Sequence, residues 1–510
     1  MIRIAITLIA LLLTGCVRNQ PPVVVVITAT ATTQAIASTP TALATTISPT
    51  EVLGTDPAVV ALRGTEGTTE PQEYVVQSGD TLSGIAAQFG ISLDVLIAAN
   101  ALINPDVLSV GQVINLPEVP RALTPAFQIL PDSRLVKGPG SSAFSTAAFV
   151  GQLNGYIRLA SDTVDDVNLN AVQVIDRVAT EFSVDARLLL ALLEHKARWL
   201  SNPAEPDEML LTYPIQGGPS PDGFERGGLY RQLSWAANQI NRGYYGWKHT
   251  ELSILNLADG TRLRYDTSLN AATVGLQFFF GLSGNALDWQ QDVSPAGFLA
   301  TYQSLFGDPF ASAADSPVPA DLQQPLLTLP FRQGEIWFFT GGPHGGWGSG
   351  SAWAAVDFAP PDERPDGSAA CYVSVHQVTA VADGLIVRSD DGVVVLDLDS
   401  DGDESTGWSI LYLHLATEGR AAVGSFVRTG DPIGYPSCEG GFSNGTHLHI
   451  ARRYNGEWIP ADSPTMPTFV MSGWGASGLA NQEYQGYLIN GSERRTADQG
   501  RISLENRISW

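Results

Sequence analysis

Histidine is scarce in this chain, with seven in 510 residues. Chemistry that depends on imidazole must therefore be concentrated, and four of the seven (His344, His414, His447 and His449) fall in motif contexts near the C-terminus. A His-Glu-x-x-His helix is absent, which excludes the common helical design for a zinc protease. Basic residues are also few, 28 Lys and Arg against 52 Asp and Glu, for a net charge of -24. That balance argues against nucleic acid or an anionic membrane face as the main partner. The apolar run after Arg3, Ile4 to Leu13, is too short to span a bilayer comfortably. Between residues 17 and 72 there is no aromatic residue and little charge. A tract of Thr, Ala, Val, Ser and Pro lacks large side chains to bury and reads as a disordered or extended stalk. The length calls for two to four folded domains.

The apolar run ends in Leu13-Thr14-Gly15-Cys16, which resembles the bacterial lipobox. The resemblance implies a signal peptide over residues 1–15, a diacylglycerol on Cys16, and an exported chain anchored to a membrane by lipid alone. A plain secretory signal is the other reading, and it also exports the chain. With Cys16 lipidated, Cys371 and Cys438 remain as a candidate disulfide in an oxidising compartment.

Residues 73–118 form a compact unit. Tyr74-Val75-Val76 reads as a strand, Ser78 to Thr81 caps a helix through Gln88, Ser92 caps a second helix to Asn100, and Val110 to Leu116 closes as a strand. This βααβ order, with the phrases Tyr-Val-Val-Gln-Ser-Gly-Asp-Thr-Leu-Ser-Gly-Ile-Ala and Val-Gly-Gln-Val-Ile-Asn-Leu-Pro, resembles a LysM module. Membership implies binding of N-acetylglucosamine-containing glycan, as in peptidoglycan. Residues 130–312 show apolar positions at helical spacing, as in Ala171 to Phe182 and Arg187 to Leu193. Ser183 to Glu194 resembles the opening helix of lysozyme-like lytic transglycosylases. Aligned on Val184-Asp185, that family's catalytic Glu falls on Lys196 and its Ser on Ala197. Glu194 is offset by two residues, a rotation of roughly 200° on a helix. Glycoside cleavage needs a carboxylic acid at the scissile oxygen, so the region reads as a lysozyme-like, non-catalytic domain for spacing or wall contact.

From residue 326 to 475 short β runs broken by Gly, Pro and Asp indicate an all-β antiparallel domain, with 476–510 as a C-terminal extension. His447-Leu448-His449 puts two imidazoles on one face of a strand, because side chains alternate with period two. Upstream lie a glycine loop with His344, a short strand with Asp357, and a strand ending in His414. This ordered set resembles the lysostaphin-type zinc endopeptidases that cut peptidoglycan cross-bridges. The separation of thirteen positions from His344 to Asp357 resembles the beta-lytic endopeptidase and staphylolysin branch. The resemblance implies zinc on His344, Asp357 and His449, with His414 and His447 as catalytic groups beside an open fourth position. Three protein ligands and one open site are the design of a catalytic zinc. Bound water then has a pKa of about 7, and imidazoles can take its proton and stabilise an oxyanion. Which histidine does which stays open.

Asp397, Asp399 and Asp401 occupy the first, third and fifth positions of an EF-hand-like calcium loop, with Gly402 sixth and Asp403 seventh. Position twelve is Trp408, so the closing Glu is missing, and turn chemistry alone is the competing reading. The sequence thus describes a multidomain chain: LysM module, mainly helical middle domain, all-β catalytic domain. The expected function is hydrolysis of peptide bonds in peptidoglycan, with Zn²⁺ and a second, Ca²⁺, site as cofactor readings. A non-catalytic wall-binding scaffold, or an activator of another wall hydrolase, is the alternative. Glycan cleavage by the middle domain is the third reading.

Overall fold

The computed structural model describes residues 72–77, 80–89, 91, 93–100, 102, 108–116, 122–250, 252–311, 318–362, 370–500 and 503–510. Cys16, the signal and nearly all of the stalk fall outside these residues, as do Ser78 and Ser92. No helix among the described residues is long and apolar enough to cross a membrane.

The first unit pairs the strands Gln72–Val75 and Val113–Leu116 in antiparallel fashion around the helices Leu82–Phe89 and Leu93–Asn100. The second strand starts later than expected, because Val110 and Gly111 form a turn with Gly111 at φ 87°. Thr81 caps the first helix, its hydroxyl accepting from Gly84 N at 3.1 Å. Asp80 ties the entry together, accepting from Tyr74 Oη and Gln77 N at 2.7 Å each. Apolar residues one helical turn apart, Leu82, Ile85 and Ala86, meet Leu96, Ile114 and Leu116 in a small core.

The middle region is helical, with two short hairpins at Ser161–Asn170 and Ile254–Arg264. Asn170 and Gln173 form a reciprocal capping box at the helix Ala171–Glu181. This helix buries Val174, Ile175 and Val178. The helix Ala186–Ala197 is buried almost all round from Leu188 to Leu193, as expected of a central helix. The long helix Leu229–His249 crosses Ala271–Gly281 at a glycine pair. A Cβ on Gly275 would stand 2.8 Å from Ile240 O, and one on Gly243 the same distance from Gly275 Cα. Only side chains without a Cβ let these backbones come so close.

The C-terminal region is built on an antiparallel sheet of nine strands among the described residues. In spatial order the path runs Phe426–Val427, Gly384–Asp390, Val393–Asp397, Trp408–Leu413, Leu448–Tyr454, Ala355–Ala359, Trp337–His344 and Arg507–Ile508. Glu457–Trp458 pairs with Leu448–Tyr454 off that path. One face packs a core of Phe339, Val356, Phe358, Ile410, Tyr412, Leu448 and Ile450. Residues 476–510 are part of this body. The strand Arg507–Ile508 closes the sheet edge against Trp337–His344, and Ala476, Leu488 and Ile508 join the core.

The opposite face carries Ala451 and Arg453 in line with His449. There the middle region seats itself. Lys248 pairs with buried Glu457 at 2.5 Å, Trp458 N donates to Tyr245 Oη at 3.1 Å, and Ser183 Oγ donates to Gly456 O at 2.5 Å.

Candidate metal centre

Register assembles the centre. On neighbouring strands His449 stands directly opposite Asp357, and Leu413 opposite His449. Directly opposed residues project from the same face of an antiparallel pair, so the acid and the imidazole meet by pairing alone. Gly341 opposes Asp357 on the far side, and the register there shifts between Phe339 and His344. That irregularity carries His344 round to the same point. A Cβ at Gly341 would lie 2.4 Å from Asp357 Oδ2, so the carboxylate occupies space that only glycine leaves free.

His344, Asp357 and His449 each offer a ligand atom within 4.8 Å of the others, and all three are buried. His344 Nε2 lies 2.9 Å from His449 Nδ1, and Asp357 Oδ1 lies 3.2 and 3.3 Å from these two nitrogens. The remaining ring nitrogens define the tautomers. His344 Nδ1 donates to Gly342 O at 2.8 Å, and His449 Nε2 donates to Gly346 O at 3.1 Å. A carbonyl oxygen only accepts, so in the neutral rings both inner nitrogens turn lone pairs to the centre. Asp357 Oδ1 is buried and takes no hydrogen bond of good geometry. Two lone pairs and an anionic oxygen about 3 Å apart repel unless a cation lies between them. The donor set, two nitrogens and one carboxylate with their outer atoms held by backbone, fits zinc.

Electrostatics agree with the geometry. Burial opposes ionisation of Asp357, but the neighbouring His344 and His447, and then the close approach of His344 and His449, hold its carboxyl well below the ordinary range. Burial lowers His449. Burial opposes charge on His344 as well, but Asp357 outweighs it and leaves this imidazole raised.

The two further histidines flank the centre. His447 Nε2 sits 3.9 Å from Asp357 Oδ2, and the His414 ring lies 4.6 Å from that of His447. Their Nδ1 atoms donate to backbone carbonyls as well, His447 to Gly445 O at 2.7 Å and His414 to Glu439 O at 3.0 Å. His414 follows directly on its strand with φ 68°, a left-handed conformation that bulky residues adopt only under constraint. Its carbonyl is held by Ser437 N and Ser437 Oγ. Burial, followed by His447 and His449, pushes its imidazole down to about 3. Cys371 and Cys438 are joined, with Cα atoms 5.6 Å apart, and the bond anchors the loop that supplies Glu439.

Two participants had no signal in the sequence. Tyr484 stacks on His344 with ring centroids 4.1 Å apart and planes 22° from parallel. Its φ of 68° is again left-handed for a large side chain. Burial, then the charges of Asp357 and Glu483, raise its phenol. The adjacent Glu483 accepts from Gly345 N at 3.1 Å. Both come from the segment expected to be a mere extension. The left-handed tyrosine marks them in the structure, but sequence does not display φ.

Other singled-out residues lie apart from this centre. Glu194 accepts from Leu200 N, Ser201 N and Ser201 Oγ and so caps the following turn. His195 and Lys196 both bond Asp292. Asp397, Asp399 and Asp401 cluster, and burial followed by contact with Asp399 holds the Asp397 carboxyl up at about 6. Asp403 is not in this group, since Ser405 N and Oγ claim its Oδ1.

Comparison with known proteins follows the same division of the chain. The LysM domain model matches residues 74–117, and the peptidase family M23 model matches residues 368–460. The chain carries a LysM domain and a peptidase M23 domain. The M23 match takes in His414, His447 and His449, while His344 and Asp357 precede it. The middle region, expected to be lysozyme-like, matches the model of the LasA N-terminal domain over residues 128–319. Protease LasA of Pseudomonas aeruginosa is 27% identical over 364 residues, covering 68% of this chain and 79% of that protein. The secreted LysM effector ECP6 of Passalora fulva is 53% identical over 51 residues, 10% of this chain and 22% of that protein. Among solved structures, the M23 metalloprotease pseudoalterin from the deep sea aligns with 34% of this chain and 96% of its own. The identity there is 22% and the TM-score 0.27.

Proposed function

We propose that this protein is an exported zinc endopeptidase that hydrolyses peptide bonds in peptidoglycan stem peptides or cross-bridges. The observation that carries the reading is the buried, unsatisfied convergence of His344, Asp357 and His449 beside two more histidines with free inner nitrogens. His344, Asp357 and His449 would hold the metal, which when bound supplies Lewis acidity to a carbonyl and acidifies water. His447, less buried than His414 and with its Nδ1–H spent on Gly445 O, presents Nε2 as the acceptor for the proton of the attacking water. His414 stays neutral at working pH and confines the His447 ring. Tyr484 holds His344 in orientation by stacking, and its raised phenol remains a donor for developing charge.

The LysM unit supports glycan binding, which raises the local concentration of cross-links at the peptidase site. Export is supported by the signal-like start, the Cys371–Cys438 bond and the likeness of the LysM unit to a secreted LysM effector. The lipobox makes Cys16 the anchor in this reading, and the extra length from His344 to Asp357 assigns the staphylolysin branch. The test is zinc content together with release of amino termini from purified peptidoglycan, for the wild type and His449→Ala. One zinc per chain with new amino termini, both lost in the variant, is the expected result. Amino termini released at an undiminished rate by a zinc-free variant would defeat the assignment.

A further inference from the structure

The turn between the strands Val393–Asp397 and Trp408–Leu413 is not used by the peptidase reading. Asp397, Asp399 and Asp401 bring one carboxylate oxygen each within 4.8 Å. Acidic residues gather on many exposed turns, and by itself the grouping means little. Asp397 is what distinguishes this one. It is 0% exposed, its Oδ2 accepts from Gly402 N at 3.0 Å, and its Oδ1 is buried without a hydrogen bond. Asp399 and Asp401, which are exposed, nevertheless direct carboxylates toward it. A buried carboxylate with a free oxygen, faced by two more anions, is strongly unfavourable unless a cation completes it.

The loop is shaped around that point. Gly402, the sixth residue from Asp397, turns the chain at φ 91°. Gly407 is also left-handed, and a Cβ there would lie 2.2 Å from Asp399 Oδ2, so glycine is what lets this carboxylate fold inward. Thr406 Oγ1 donates to Asp401 Oδ2 at 2.6 Å and orients the third acid. We propose that this turn binds one calcium ion through Asp397, Asp399 and Asp401. The donors are all hard oxygens, which favour calcium over the softer zinc and copper, and magnesium dehydrates too reluctantly to favour an all-protein oxygen site. With Trp408 at the position of the closing Glu, affinity falls in the range of extracellular calcium modules, roughly 0.1–1 mM. The ion pins the hairpin whose second strand, Trp408–Leu413, leads into His414.

The test uses the full chain with zinc retained and verified, after dialysis into calcium-free buffer. Melting temperature is followed against CaCl₂ and MgCl₂, and terbium luminescence sensitised by neighbouring tryptophan reports direct binding. Calcium should saturate with a melting rise of roughly 5–10 °C at about a hundred times Kd. Asp399→Asn and Asp401→Asn, both at exposed positions, should weaken binding at least tenfold by the terbium signal. A melting temperature flat in calcium, an equal rise with magnesium, or unchanged terbium binding in both variants would overturn the site. Zinc content and peptide cleavage are measured in parallel, so failure here is separable from failure of the peptidase reading.

Discussion

Two regions of this molecule bring histidine together with acids, and they do so in opposite ways. In the helical region His195 gives one nitrogen to Asp292 at 2.8 Å and the other to Thr301 at 3.0 Å. Lys196 takes the second oxygen of Asp292 at 2.7 Å, and Glu194 is saturated by the turn that follows it. Nothing is left over. In the β region four histidines use one nitrogen each on backbone carbonyls and keep the other for the centre, where Asp357 Oδ1 accepts no hydrogen bond of good geometry. Polar groups that satisfy one another hold a fold together, while groups held rigid but unsatisfied await a ligand.

The largest effects should break this contrast directly. Asp357→Ala and His447→Ala should each lower peptidoglycan cleavage by about a thousandfold or more, whereas Glu194→Gln should stay within about twofold of wild type, read as released amino termini per unit time. Next comes the Cys371–Cys438 bond. Replacing both cysteines by Ser should remove roughly 2–4 kcal/mol of stability and lower kcat through the loop that carries Glu439, with zinc content unchanged.

Acid should then separate the regions. Both ring nitrogens of His249 are buried without partners, and burial, then Lys248, push this imidazole from 6.5 down to about 3. The unfolded chain binds that proton more readily, so the stability it confers is complete above pH 6.5 and declines as pH falls toward 3. By pH 5 the loss is about 2 kcal/mol. Burial disfavours charge on Glu404 in the β region, but Arg388 and Arg453 hold it down at about 2. Its contribution is complete above pH 4.5 and disappears only as pH falls toward 2. Melting curves between pH 7 and 5 should therefore slope with pH, and His249→Phe should flatten them. A slope unchanged in that variant would contradict the assignment.

The smallest effect tests packing. Gly275→Ala puts a methyl 2.8 Å from Ile240 O and should cost roughly 1–3 kcal/mol, measured by denaturant midpoint with zinc content intact.

Much of the site was legible because its signals are local. His447 and His449 share a strand face by period two, and the motifs holding His344, Asp357 and His414 come in readable order. Register then made Asp357 and His449 neighbours, as an antiparallel sheet requires. Tyr484 and Glu483 were not legible, since they reach the centre through a tertiary excursion of residues 476–510 and mark themselves only by backbone conformation. Arg452 and Arg453 also break the sequence rule that a strand centre is apolar. Arg452 donates through its Nη atoms to the carbonyls of Pro460, Pro467 and Thr468, and Arg453 pairs with Glu404, while both Nε atoms are buried without a hydrogen bond. These partners, 8 to 16 residues from Arg452 and 49 from Arg453, sit at spacings that leave no periodic trace. Spacing alone groups Asp403 with the acidic turn, but Ser405, two residues on, takes up its Oδ1.

The most direct test of where the chemistry lies is product analysis of purified peptidoglycan treated with wild type, His447→Ala and Glu194→Gln. New amino termini from wild type and Glu194→Gln, with none from His447→Ala, is the predicted result. New reducing sugar ends that vanish with Glu194→Gln and persist with His447→Ala would contradict it.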